Sequence, residues 1–229
     1  MRMYKHSNTK EIEDTFVHRY LADLLNVVFD MSDLVDSAWA NKALNLDNSS
    51  LNEIQYKPDY LIYFFFKDDD QKTLFTAEVK PVSRNVGVVN DTVKLGYEMK
   101  LIMDVLIEVG VANPIVCGLI VKDAQCEGYI MDLKYEATYR LTRICQFKLP
   151  KSFQDLPLFV PAVEAMLQLR TFIESTALSM SEKQENKAKN LKISSKHLIP
   201  KEYRRMSFSK HQQTKAVRGK VTKNNNQSA

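Results

Sequence analysis

The chain has 229 residues, 45% of them apolar, enough for one domain of ordinary size with a real core plus an appendage. No run of 18 or more uncharged apolar residues occurs, which on that criterion excludes a membrane-spanning helix, and nothing near Met1 resembles a signal peptide, so an intracellular protein is the expectation. The net charge of +4 averages two unlike parts: residues 180–229 carry 13 Lys/Arg against 3 Asp/Glu, whereas residues 1–179 carry 19 against 25.

Residues 8–29 open the chain with a helical period. Ile12, Phe16, Tyr20 and Leu24 form one stripe, Val17, Leu21 and Leu25 lie beside it, and Asn8 with Glu11 makes a capping box. From Asp30 to Tyr56 the text is polar and irregular, with a short strand or helix expected near Ser37–Ala43 around Trp39, the only tryptophan. An aromatic strand, Asp59 to Phe66, and a second strand, Thr73 to Lys80, flank the polar turn Lys67–Lys72, which predicts a hairpin closed by Pro81.

The 3.6 period returns from Asp91 to Val109, with Leu95, Met99, Ile102, Met103, Leu106 and Val109 on one face and Gly110 as the stop. Lys100, Asp104 and Glu108 line the other side at i, i+4 spacing. Three strands are expected at 114–121, 126–133 and 137–147, then a helix over 159–177. Beyond 179 the large apolar residues thin out, so the tail 180–229 reads as basic and mostly disordered, with a short helix near 198–206. Such a tail suits nucleic-acid attachment or nuclear import, and equally plain solvation. No internal repeat is present.

Several chemistries are excluded. Cys117, Cys126 and Cys145 are odd in number and have no C-x₂-C spacing, so neither a disulfide framework nor a zinc knuckle follows. The four histidines are dispersed, no phosphate-binding glycine loop occurs, and no serine or cysteine nucleophile has a local base.

The hairpin carries the one constellation with chemistry in it. With the turn centred between Asp69 and Asp70, Asp59 lies opposite Lys80 and Leu61 opposite Glu78. Directly opposed residues share a face, so Asp59, Glu78 and Lys80 converge, while Tyr60, Ile62, Phe64 and Phe66 face Phe75, Ala77 and Val79 on a wholly apolar side. A two-residue slip preserves this convergence and a one-residue slip destroys it. Two carboxylates at the end of a buried hairpin suit a divalent cation, Mg²⁺ or Mn²⁺, held by Asp59, Glu78 and the Val79 carbonyl, with Lys80 beside it. The same residues also permit a plain Asp59–Lys80 ion pair with Glu78 solvated.

Pro58-Asp59 followed by Glu78-Val79-Lys80 on the next strand resembles the signature of the PD-(D/E)XK nuclease-like superfamily. That resemblance implies an α/β, restriction-endonuclease-like αβββαβ core over residues 1–179, here with extra C-terminal strands and a helix. It implies metal-dependent hydrolysis of phosphodiester bonds in nucleic acid, DNA foremost, or an inactive descendant that binds nucleic acid or protein. An acidic residue of the first helix often completes such a site, which points to Glu13; Lys94 and Lys100 on the second helix become candidate phosphate contacts. Residues 10–175 also resemble a group of uncharacterised fungal open reading frames through Lys57-Pro-Asp59, Glu78-Val-Lys-Pro81, Lys94-Leu-Gly96, Tyr129-Ile-Met-Asp-Leu133 and Leu149-Pro-Lys-Ser152.

Overall fold

A computed structural model describes residues 13–30, 33–39, 44, 56–65, 70–80, 91–189 and 198–205. The elements run α1 (Glu13–Phe16), a π-helical turn (Val17–Leu21), α2 (Ala22–Phe29), β1 (Asp36–Trp39), β2 (Tyr60–Phe65), β3 (Gln71–Lys80), α3 (Asp91–Val109), β4 (Val116–Lys122), β5 (Gln125–Tyr135), β6 (Thr138–Lys148) and α4 (Phe159–Ala188). The Asn8–Glu11 cap, the hairpin tip at 66–69 and Pro81 lie outside the described residues.

The periodicities dictate a mixed α/β chain, and the strands form one six-stranded sheet in the order β1 to β6. Every neighbouring pair is antiparallel except β3 and β4, which run parallel because α3 carries the chain back between them. β3 and β4 are buried along almost their whole length; β4 is accordingly apolar, whereas β3 also buries Lys72, Thr73, Thr76 and Glu78. Helix α3 covers one face of the sheet, where Leu95 and Met99 pack over Gly118. Helices α2 and α4 cover the other: Phe29 meets Phe75, and Leu169 lies against Gly128.

The hairpin register differs from the sequence expectation in an instructive way. Tyr60 pairs with Ala77 and Ile62 with Phe75, a slip of two residues that leaves every side chain on its expected face near the site. Past Ile62 the register shifts once more, Tyr63 pairing with Thr73, so Leu74 is the extra residue of a bulge. The bulge thus leaves the end of the hairpin that holds Asp59 undisturbed.

Helix α4 runs to Ala188, so the boundary expected near 179 falls inside it. Met180 is fully buried, and Lys183 donates to the Gly110 carbonyl at 3.0 Å, capping the end of α3 where Gly110 takes a positive φ of 77°. Beyond α4, structure appears where a short helix is expected near 198–206. Leu198 bridges to Ala112, a 3₁₀ turn forms at Lys201–Tyr203, and Lys201 and Arg204 both pair with Glu108. By length and composition the segment Phe153–Ala188 passes for a membrane span, contrary to the exclusion drawn from uncharged runs. Its Ala162, Met166, Leu169, Ile173 and Ala177 are instead buried in the core shared with the sheet.

Gly128 sits tightly between Cys145 of β6 and Leu169 of α4. A Cβ there would lie 2.4 Å from Cys145 Sγ and 3.1 Å from Leu169 Cδ1. Gly128→Ala is therefore expected to cost about 1–3 kcal/mol by overpacking, read as a lowered urea midpoint; an unchanged midpoint would show that α4 yields freely.

Candidate functional site

Strand alternation sends Thr76, Glu78 and Lys80 of β3 to the face covered by α3, and Asp59 joins them from the start of β2. Lys80 Nζ lies 3.7 Å from Asp59 Oδ2 and 3.6 Å from Glu78 Oε2, so the three residues singled out in the sequence do meet. Asp59 is held by a 2.7 Å hydrogen bond from the Val79 backbone N–H to its Oδ2. A residue's N–H and carbonyl leave a strand on the same side, so the Val79 carbonyl points toward the same edge of β2.

Glu78 is fully buried, so the alternative of a surface ion pair with a solvated Glu78 does not describe the structure. The Asp59–Lys80 pair exists, but it sits at the mouth of a buried carboxylate rather than on an open strand. Helix α3 supplies the rest of the site. Lys94, one turn into the helix, places its Nζ 2.5 Å from Glu78 Oε1 and 3.7 Å from Glu98 Oε1. Glu98, also fully buried, accepts a 3.1 Å hydrogen bond from the Thr76 hydroxyl on its Oε2. Glu78 Oε2 and Glu98 Oε1 are buried and receive no N–H or alcohol hydrogen bond from the described residues, and the two carboxyl groups hydrogen-bond each other.

These two adjoining buried carboxyl groups set the electrostatics. A buried carboxylate lacking donors is costly, and a second one beside it more so. Burial accordingly pushes the Glu98 carboxyl up to about 7, with the Glu78 charge adding to the rise and Lys94 opposing it. Burial works against the charge on Lys94, but its contact with Glu78 outweighs that and holds the ammonium above the ordinary lysine range.

Of the other candidates, Lys94 belongs to the cluster but faces Glu78. Lys100 does not join it: its Nζ holds Asp104 at 2.6 Å and lies 4.8 Å from the Tyr139 ring centroid. Glu13 begins α1, and its side chain lies outside the described residues. Sequence reasoning missed Glu98 and Thr76. The signal for Glu98 was present: it falls three residues after Leu95 and four before Ile102, a charge inside the apolar stripe of α3.

The donor set consists of hard oxygens, those of Asp59 and Glu78 and the Val79 carbonyl. Among the described residues no three of His, Cys, Asp and Glu converge into a self-sufficient metal chelate. A cation that keeps several waters, as Mg²⁺ does, suits two carboxylates and a carbonyl better than one that needs a full protein cage. Compared with protein-family models, with curated proteins and with solved structures, the chain matches none.

Proposed function

We propose that the protein is a metal-dependent nuclease of the PD-(D/E)XK type, hydrolysing phosphodiester bonds, with DNA as its substrate. The observation that carries this reading is the fully buried Glu78 carboxylate, whose Oε2 lies 3.6 Å from Lys80 beside Asp59 and whose acidic neighbour, Glu98, is driven toward its neutral form. Two carboxyl groups buried side by side call for a compensating proton or cation. The order helix, three-strand meander, helix, strand supports the restriction-endonuclease-like arrangement, with β5, β6 and α4 as additions.

On this reading Asp59, Glu78 and the Val79 carbonyl hold Mg²⁺ or Mn²⁺, with Glu13 a further candidate from the first helix. The cation would supply Lewis-acid polarisation of the phosphate and a more acidic bound water. The chain's own residues do the positioning. The Val79 N–H fixes the Asp59 carboxylate, and the strand fixes Glu78. Lys80, 42% exposed at the mouth, is placed to orient a water and to meet negative charge developing on a phosphate oxygen. The basic residues of the tail add a sequence-independent attraction to the nucleic-acid backbone and suit a nuclear protein.

A second reading rests on one contact. Lys94 already neutralises Glu78, which favours a catalytically silent module that binds nucleic acid or protein. Cleavage of plasmid and single-stranded DNA in Mg²⁺ or Mn²⁺ separates the two. The expected result is cutting that EDTA abolishes and that Glu78→Gln and Lys80→Ala each reduce by at least about a hundredfold. No cutting, or cutting that survives both substitutions, would reject the nuclease in favour of the silent module.

A further inference from the structure

Resting on the metal-site reading above, we propose that Lys94 is a built-in counter-ion that neutralises Glu78 through Oε1 and is displaced when a divalent cation binds the same carboxylate beside Asp59. Charge counting at the site leads there. Asp59, Glu78 and Glu98 bring three carboxyl groups, and Lys80 and Lys94 bring two ammonium groups. Glu78 has no solvent exposure, so it cannot be left charged and alone while the chain folds. Lys94 meets that need with the shortest ion pair in the cluster, 2.5 Å to Glu78 Oε1, and also faces Glu98 at 3.7 Å.

The contact is built to be broken. Glu78 and Glu98 are both fully buried, whereas the Lys94 side chain is 33% exposed, so the ammonium has a way out to water that the carboxylates lack. Lysine is a point charge on a flexible four-carbon stem, able to leave without moving the helix backbone. Even with Lys94 in place, Glu78 and Glu98 face each other as two buried carboxyl groups that raise each other's cost, so one ammonium satisfies only part of the site. A divalent cation brings twice the charge and takes oxygen ligands by preference. Once displaced, Lys94 lies at the mouth with its charge free for an anionic substrate.

The test reads cation binding and stability on the full chain without nucleic acid, using Mn²⁺ alone and Mg²⁺ alone. Lys94→Met is expected to lower the Kd for Mn²⁺ by roughly tenfold or more, since a competing positive charge is gone. Its Tm in EDTA should fall below that of the unsubstituted protein and recover on adding cation, a dependence the unsubstituted protein shows only weakly. Lys94→Gln, which keeps a polar group against Glu78, should show the same ordering should the methionine variant fold poorly. A Kd in the lysine-free variants equal to or weaker than that of the unsubstituted protein would overturn the proposal. Were the unsubstituted protein to bind cation, Glu78→Gln to lose it and Lys94→Met to leave it unchanged, the metal site would stand and the counter-ion would not. Absence of cation binding in every variant would remove both.

Discussion

Glu98→Gln is expected to stabilise the protein above neutral pH by on the order of 3 kcal/mol, and to flatten its stability between about pH 4.5 and 7. The unfolded carboxyl titrates near 4.5, and the folded one is pushed up to about 7 by burial and by the charge on Glu78. Between those values the folded chain holds a proton that the unfolded chain has released. Stability therefore falls as pH rises through this window, and the full penalty persists above it. Glutamine carries no charge at any pH, can still accept the Thr76 hydrogen bond, and leaves Asp59 and Glu78 balanced by Lys80 and Lys94. Urea denaturation of both proteins at pH 5 and pH 8 checks it. A variant that tracks the parent's pH dependence, or that is weaker at pH 8, would show that Glu98 is ionised and needed in that state.

The other large effect lies on the opposite face of the same strand. Phe75→Ala should cost about 3–5 kcal/mol, because it empties a fully buried position where three elements meet. Its ring centroid lies 5.5 Å from that of Phe29 in α2 and 6.1 Å from that of Tyr60 in β2, so one side chain ties the first helix to the hairpin. Phe65→Ala is the matching control: Phe65 is 44% exposed at the far end of β2, and its removal should cost less than about 1 kcal/mol. Equal losses at the two positions would mean that the hairpin is anchored elsewhere.

What the sequence made legible follows its strongest periodicities. The range 91–109 was read to the residue, because an apolar stripe and Gly110 both bound it. The convergence of Asp59, Glu78 and Lys80 survived a wrong register because side-chain parity is unchanged by a slip of two. The bulge at Leu74 had no such protection: an extra buried leucine in an apolar strand looks like any other. The end of α4 was misread for the converse reason. Ser181 to Ala188 is polar text, yet it is composed largely of good helix formers, and Met180 and Lys183 tie it to the body of the fold. Glu98 escaped notice because its role depends on Thr76 and Glu78, which only the docking of α3 onto β3 brings near it.

The return of the chain to α3 after α4 changes how far the basic end can reach. Measured from Ala188, the 41 residues to Ala229 would span up to about 140 Å at full extension. Because Arg204 is moored to Glu108 and the Arg205 amide to the Tyr139 hydroxyl, the leash begins at Arg205 instead. The 24 residues from Met206 to Ala229 then extend at most about 80 Å, and five of them are lysine or arginine with no acidic residue among them. The mooring lies on the face of the sheet that carries Glu78 and Lys94, about two to three helical turns along α3 from Glu98. The strap itself brings Lys201 and Arg204 against α3, with Arg205 next to them, so three positive charges stand beside the helix that also supplies Lys94 and Glu98.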